Sequence, residues 1–270
     1  MTKEIKYITG IDLSIFNKSF VDKTITARMN ETKCNSFDEY TEYLQNTSNE
    51  TDKLKKALNN NYSEFFRNII TFAFLEKYLI PALAENKTKK NNREIRIWSA
   101  ACAAGQEAYS IAMLCDEFLK NQKAGIRFRI FATDISETEI QKAQKGVYPE
   151  YALKNVAYSR IKNYFTQKGD SFFVHQHLKE TIDFSTFDLL NEECYCPPVS
   201  IFGNFDIVFC ANLLFYYNPK VQKLILDKVD NCLANNGYLV AGETERDILM
   251  KNNYKEVFPQ SGIFKINHST

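Results

Sequence analysis

The sequence predicts an α/β fold, with a mostly parallel sheet covered by helices on both faces, preceded by a smaller all-helical domain. Up to about residue 85, apolar residues recur at helical spacing, and from Ile95 onward apolar strands alternate with helices. Such alternation is typical of parallel sheets, because each crossover between parallel strands needs a connecting helix. The polar run 85–94 separates the two patterns, so we predict domains of residues 1–85 and 86–270.

The first domain shows three helical patterns. The first has apolar side chains at helical spacing: Leu13, Phe16, Phe20, Ile25 and Met29. In the second, Ser36 is followed three residues later by Glu39, which is the arrangement of a capping box at a helix start. The third lies within 63–85, and we expect its helical character to continue until Pro81.

The second domain begins with a strand at 95–100 and a helix over about 105–120. A strand at 126–135 and a helix capped by Ser136 follow. Further strands are predicted within 172–190 and at 205–212, 237–243 and 261–267, with a short β insertion near 160–185. A helix is predicted over 219–236, because Pro219 stands at its start and Gly237 just beyond its end.

Charge and hydropathy limit the partners and the location. The 34 Lys and Arg residues balance 33 Asp and Glu residues, so we expect no nucleic-acid partner. The first residues lack the apolar segment of a signal peptide, and no run approaches about 18 apolar residues. We therefore expect a cytoplasmic protein without stable membrane insertion. We also expect it to be a monomer.

The cysteines and histidines give no metal pattern. None of the seven cysteines forms a CxxC pair, and the chain has only three histidines, so we expect no metal site. Cys102, Cys115, Cys210 and Cys232 lie in apolar stretches and are expected to be reduced core residues.

Small residues follow the first strand of the second domain, where open α/β sheets bind ligands. The turn from 100 to 105, which includes Ala101, lets a ligand approach the backbone and the free N–H groups of the next helix. Only Gly105 stands where a dinucleotide-binding turn has three glycines, which favours a ligand without a pyrophosphate. A tight junction that binds no ligand is the alternative.

Two polar residues end further strands, Asp134 the second main strand and Asn212 the fourth. Asp134 has acceptor capacity for both hydroxyls of a ribose and would repel the phosphate of NADP, although it could simply open the next turn. Asn212 both donates and accepts, which matches an amino or carboxylate group. No Ser/His/Asp arrangement is evident, which disfavours hydrolytic chemistry.

Four collinear stretches resemble the chemotaxis receptor glutamate methyltransferase (CheR) family, over nearly the whole chain. They are NNYSEFFRN (60–68), IWSAACAAGQEAYSIAML (97–114), FATDISETEIQKAQKGVY (131–148) and FDIVFCANLLFYYNPKVQKLILDKVDNCLANNGYLVAGETE (205–245). The resemblance implies a Rossmann-like domain that uses S-adenosylmethionine (SAM) as cofactor, yields S-adenosylhomocysteine (SAH) and follows a small helical domain. The residues implied to contact the cofactor are Asn61, Ser63, Arg67, Ala101, Glu107, Asp134, Asp188, Leu189, Asn212 and Leu213.

The resemblance also implies a role for each. Asn61, Ser63 and Arg67 would reach from the helical domain to the cofactor. Glu107 would meet its amino-acid end or ribose, and Asp134 would hold the ribose.

The remaining residues would surround the rest of the cofactor. Asp188 and Leu189 would flank the adenine, and Asn212 and Leu213 would contact the methionyl part. Tyr216 would lie near the transfer site and, with Arg67, is the candidate for a catalytic role, Arg67 either steering the acceptor carboxylate or fixing the cofactor.

The sequence also departs from the family pattern. Residues 242–245 read GETE where the family usually has Gly-His-Ser-Glu, and the second helix has only Lys23 and Arg28 where relatives carry several arginines that dock on an acidic receptor helix. The segment 168–180 is short and lacks a glycine-rich loop, so we predict that it binds no receptor tail peptide.

The predicted function is esterification of glutamate side chains in the cytoplasmic domain of a chemoreceptor, a step of chemotaxis signal transduction. The alternatives are a CheR-like methyltransferase with a different acceptor, and a non-catalytic sensor or scaffold that binds SAM or SAH.

Overall fold

The computed structural model describes residues 2–59, 61–90, 92–121, 125–191, 193–200 and 202–266, which form two compact units. The first unit comprises Met1–Asn61 and Leu214–Leu224, and the second comprises Tyr62–Leu213 and Ile225–Thr270. The two units divide at residue 61, whereas the sequence pattern places the domain boundary at residue 85.

The first unit is helical. Its helices are α1 (Thr2–Thr9), α2 (Lys18–Thr32), α3 (Phe37–Asn46) and α4 (Glu50–Leu58). Asn17 caps α2, so the first apolar pattern is split between a short 3-10 turn at Leu13–Ile15 and this helix. Ser36 caps α3 as predicted, because its hydroxyl accepts the Glu39 N–H. The buried core of this unit consists of Ile5, Leu13, Val21, Ile25, Tyr40, Leu44, Leu54 and Leu58.

A buried ion pair joins two of these helices. The Arg28 guanidinium donates to both carboxylate oxygens of Glu50, at 2.9 and 2.8 Å, and the Tyr40 hydroxyl donates to the same carboxylate at 3.1 Å. Glu50 is fully buried, and Arg28 is 7% exposed. Arg28 is therefore an internal residue of the unit, and Lys23 is the one of the two predicted basic residues that reaches the surface.

The second unit contains a seven-stranded sheet in the order β6-β2-β1-β7-β8-β10-β9. The strands are β1 (Glu94–Ala100), β2 (Arg127–Asp134), β6 (Ile182–Thr186), β7 (Phe205–Phe209), β8 (Leu233–Val240), β9 (Tyr254–Glu256) and β10 (Ile263–Ile266). The β6, β2, β1, β7 and β8 pairings are parallel, and β10 pairs antiparallel with β8 and β9. The mostly parallel sheet is thus confirmed, while residue 267 of the last predicted strand lies outside the described residues.

Two helices of this unit precede β1, and the others connect the strands that follow. The helices are α5 (Ile69–Phe74), α6 (Ile80–Lys89), α7 (Gln106–Asn121), α8 (Glu137–Lys145), α9 (Tyr158–Tyr164), α10 (Gln176–Lys179), α11 (Pro219–Cys232) and α12 (Arg246–Lys251). Successive strand side chains point to opposite faces, and both faces of β1 are buried: Ile95 and Ile97 pack in the main core, whereas Trp98 packs against Phe187 and Phe205. Burial on both faces is what a parallel sheet between helices requires.

Two predicted boundaries are wrong at the residue level. Pro81 does not interrupt its helix, because one π-helical turn at Leu75–Leu79 precedes it and places Pro81 in the first turn of α6, where no N–H is needed. The polar residues 85–89 continue this helix, whose apolar side, with Ile80 and Leu83, joins the core of the second unit. Residue 91 of the polar run is outside the described residues.

The C-terminal half of the chain holds two further differences. The helix predicted over 219–236 ends at Cys232, because β8 begins directly after it. Cys102, Cys115 and Cys210 are buried and free as expected, but Cys232 pairs with Cys196 in a disulfide, with Cα atoms 6.0 Å apart.

A small antiparallel sheet is inserted between α8 and β6. Its strands are β3 (Val147–Pro149), β4 (Phe165–Lys168) and β5 (Ser171–Val174), in the order β3-β5-β4. Only residues 169–170 connect β4 to β5, a turn too short for a projecting loop. The absence of tail-peptide binding stays a prediction. Across the described ranges, no helix combines the length and apolarity that crossing a bilayer requires.

Candidate active site

Most predicted site residues of the second unit lie at the carboxyl ends of the parallel strands, which we call the sheet edge. Strands β2 and β7 flank β1 on opposite sides, so the chain direction across the sheet reverses at β1, and ligands of open α/β sheets bind beyond the carboxyl ends at this position. Four neighbouring strands, β6, β2, β1 and β7, contribute to this position. The predicted residues at their carboxyl ends are Asp188 and Leu189 after β6, Asp134 at the end of β2, Ala101 after β1, and Asn212 and Leu213 after β7.

The turn between β1 and α7 has an unusual backbone. Ala101 and Ala103 have φ values of +60° and +47°, and Gly105 has +88°. A Cβ at Gly105 would lie 2.8 Å from the Cβ of Ala143, so only glycine allows this close approach of α8. Residues other than glycine in the left-handed region are typical of ligand-binding and catalytic sites, which supports the prediction of a binding turn.

Asp134 anchors this turn. Its carboxylate accepts the N–H groups of Ala103 and Ser136, each at 2.9 Å, and its backbone carbonyl accepts the Phe187 N–H at 3.0 Å. Burial raises the pKa of Asp134, and the N–H donors oppose that rise. Each carboxylate oxygen keeps acceptor capacity for a ligand hydroxyl, and the Phe187 contact brings the Asp188 loop beside it.

Glu107 lies in the first turn of α7. The Ser99 hydroxyl donates to its carboxylate at 2.6 Å. Burial raises the pKa of Glu107 to about 7; the Ser99 hydrogen bond and the positive charge of Arg67 oppose the rise, and the negative charge of Glu245 adds to it. The pKa of Glu107 therefore responds both to Arg67 and to Glu245.

We expect replacement of Glu107 by glutamine to flatten the pH dependence of stability. Between its usual pKa of 4.5 and the folded value of about 7, folded Glu107 retains a proton that the unfolded chain has released. The free energy of unfolding therefore decreases as pH rises through this window, and Glu107→Gln removes that component. Thermal unfolding from pH 4 to 8 measures it, with exposed Glu137→Gln as control. Equal profiles for Glu107→Gln and wild type would contradict the expectation.

The residue before Arg67, Phe66, has a strained backbone conformation. Phe66 is buried with a φ of +49°, and its N–H donates to the Ser110 hydroxyl of α7 at 3.0 Å. The Arg67 side chain is exposed and lies over the Tyr62 ring. Ser63 and Arg67 belong to the second unit rather than to the helical domain from which they were expected to reach the cofactor.

Asn61 and Tyr216 belong to the first unit. Asn61 is its last residue before Tyr62 and is half-buried. The Tyr216 ring packs edge-on against Phe20, with centroids 4.8 Å apart, and its carbonyl accepts the Asn17 N–H at 2.7 Å. Their predicted roles at the cofactor stay predictions.

One residue at this edge was missed from the sequence. Glu245, fully buried after β8, accepts the N–H groups of Asn212 and Leu213, each at 2.7 Å. The signal was present, because the GETE stretch keeps the final glutamate of the pattern it resembles. In addition, the Gln106 side-chain oxygen is buried without a hydrogen-bond partner among the described residues, so an acceptor remains available beside the turn.

Family models match both units. The model for the CheR methyltransferase SAM binding domain matches residues 61–263, and the model for the CheR methyltransferase all-alpha domain matches residues 2–58. The chain belongs to the CheR methyltransferase family. The two matched ranges meet next to residue 61, where the compact units also divide.

Relatives of the family resemble the chain over most of its length. A chemotaxis protein methyltransferase of Borreliella burgdorferi is 31% identical over 239 residues, covering 87% of this chain and 83% of the relative. The chemotaxis protein methyltransferase Cher2 of Pseudomonas putida is 32% identical, covering 78% and 75%. The chemotaxis protein methyltransferase of Escherichia coli is 30% identical, covering 87% and 79%.

Proposed function

We propose that this chain transfers the methyl group of SAM to glutamate side chains in the cytoplasmic domain of a chemoreceptor, forming methyl esters and SAH. The observation that carries the proposal is the match to the SAM binding domain of the family over residues 61–263, which spans the candidate site at the sheet edge. The relatives are chemotaxis protein methyltransferases, which supports chemotaxis as the setting.

The residues at the edge fit this cofactor. SAM has no pyrophosphate, so a turn with one glycine suffices, and Asp134 offers the acceptors that a ribose needs. We assign the methionyl end to Glu107, Arg67, Asn212 and Leu213. We assign the adenine to a second set of residues, Asp188 and Leu189. The cofactor contacts predicted for Asn61 and Tyr216 stay predictions.

The reaction asks for positioning rather than proton transfer. SAM supplies a methyl group activated by its sulfonium, and a glutamate carboxylate is already ionised near pH 7. No side chain must remove a proton, and the residues at this edge act by orienting the reactants and excluding water. The left-handed Phe66 fixes the backbone from which Arg67 extends, where its charge favours the approach of a carboxylate.

We expect Arg67→Ala to lower the rate of methyl transfer about 100-fold, the effect of losing one charge-assisted contact to an acceptor or cofactor carboxylate. The control is Arg127→Ala. Arg127 is also exposed, but it lies at the amino-terminal end of β2, away from the candidate site. Wild-type turnover in Arg67→Ala, measured with saturating and limiting SAM, would remove Arg67 from the transfer step.

One observation favours a second candidate, a methyltransferase with a different acceptor. The exposed charged residues of α2 are Lys18, Asp22, Lys23 and Glu31, which cancel in charge, and Arg28 is buried. An acidic receptor helix would find no basic face on α2.

Transfer of a radiolabelled methyl group to receptor-containing membranes tests the choice. The proposed function predicts a protein-bound label that is released as methanol by mild base, as expected of a glutamate methyl ester. A label stable to base, or one on another protein, would favour the different acceptor. Binding of SAM without any transfer would indicate a sensor or scaffold, and binding of neither SAM nor SAH would contradict every candidate.

A further inference from the structure

One buried carboxylate links two segments at the sheet edge. Glu245 accepts three backbone N–H groups: Asn212 at 2.7 Å and Gly242 at 2.8 Å on one oxygen, and Leu213 at 2.7 Å on the other. Asn212 and Leu213 follow β7, and Gly242 follows the neighbouring strand β8. The carboxylate therefore continues the pairing of these strands beyond the point where the sheet ends.

The segment after β7 needs such an acceptor. The last sheet-like bond there runs from the Cys210 N–H to the Val240 carbonyl at 2.9 Å. Asn212 then turns into the left-handed region, with φ +61°, and points its N–H away from a strand partner. An N–H that is withdrawn from water without an acceptor is destabilising. The half-buried N–H groups of Asn212 and Leu213 therefore favour the backbone conformation in which Glu245 accepts them.

Gly242 completes the arrangement by leaving room. A Cβ at this position would lie 2.8 Å from the side-chain oxygen of Asn212 and 3.1 Å from a carboxylate oxygen of Glu245. The φ of Gly242 is −70°, which any residue adopts, so the need for glycine comes from space alone. The Asn212 side chain thus rests directly on the Gly242 backbone.

The two middle residues of this turn have no such role. Glu243 and Thr244 are exposed. They are the two positions at which GETE departs from Gly-His-Ser-Glu, while the residues that contact the β7 segment, Gly242 and Glu245, are kept. The departure noted in the sequence therefore falls outside the contacts that set the site.

We propose that Glu245 is a positioning residue for methyl transfer, acting through the backbone of Asn212 and Leu213 and assisted by Gly242. The inference rests on the proposed function, because that function assigns Asn212 and Leu213 to the methionyl end of SAM. Glu245 has no assigned contact with the receptor, so its loss is expected to raise the KM for SAM and leave the KM for the receptor unchanged.

Calorimetric titration with SAH tests the proposal on Glu245→Gln, with Glu243→Gln as the matched control. Glutamine presents an NH2 group to at least one N–H donor, so we expect SAH affinity to fall about tenfold, and to change less than about twofold in the control. Equal affinity in Glu245→Gln and wild type would overturn the inference. Failure of the wild type to bind SAH would instead contradict the proposed function.

Two further measurements separate positioning from a loss of stability. Amide exchange without ligand is expected to accelerate in the peptide covering 210–216 in Glu245→Gln, a result independent of cofactor binding. If Glu245→Gln does not fold, Gly242→Ala decides, because alanine suits the backbone there and its Cβ crowds both the Asn212 side chain and the Glu245 carboxylate. The same rise in the KM for SAM is expected in Gly242→Ala, and an unchanged KM for SAM would overturn the proposal.

Discussion

Replacement of Asp134 by asparagine is expected to weaken SAH binding about 100-fold, the combined effect of losing charge-assisted acceptors for two hydroxyls. Both carboxylate oxygens already accept a backbone N–H, from Ala103 and Ser136. Asparagine would present its NH2 group to one of these donors, which would shift the turn as well as lose ribose contacts. Because the substitution both shifts the turn and removes ribose contacts, we expect it to have the largest effect on cofactor affinity.

The matched control for Asp134→Asn is Asp183→Asn. Asp183 lies on the neighbouring strand β6, is half-exposed and pairs with Arg129 at the surface, so its loss should leave SAH affinity within about twofold. Titration calorimetry measures affinity, and thermal unfolding without ligand measures any loss of the turn separately. Similar SAH affinity in Asp134→Asn and wild type would show that Asp134 only holds the turn, which was the alternative interpretation of its position.

The ends of these strands were predictable because the sequence patterns that mark them are local. The apolar strands, each followed by small or polar residues, predicted Asp134 and Asn212 at strand ends. The sheet order places β1 between the strands that carry these two residues. The parallel pairing of β6, β2, β1, β7 and β8 brings the carboxyl ends of these strands together, so the approximate position of the candidate site was predictable from the fold class.

What the sequence did not predict depends on residues that are distant along the chain. Glu245 is 33 residues from Asn212, and its role appears only when β7 and β8 lie side by side. The continuation of α6 beyond Pro81 depends on a π-helical turn, which has no distinctive residue pattern. The sequence pattern assigns Arg28 to the basic surface of the second helix, because helical spacing alone does not show a buried partner 22 residues away.

Glu50, the buried partner of Arg28, gives the largest expected effect on stability. Glu50→Ala is expected to lower the free energy of unfolding by about 3–5 kcal/mol, because it leaves the buried Arg28 charge without its carboxylate. Both oxygens of Glu50 accept from Arg28, and Glu50 is fully buried, so water cannot replace the lost partner. Urea unfolding followed by far-UV circular dichroism measures the change.

Glu31→Ala is the matched control, since Glu31 also pairs with Arg28 but its side chain is 67% exposed, and we expect a change below about 1 kcal/mol. The double variant Arg28→Met with Glu50→Met distinguishes an unpaired charge from lost packing, because it removes both charges and keeps the volume. Stability close to wild type in the double variant, with a large loss in Glu50→Ala, would assign the effect to the charge. A Glu50→Ala protein as stable as wild type would contradict the internal role of this pair.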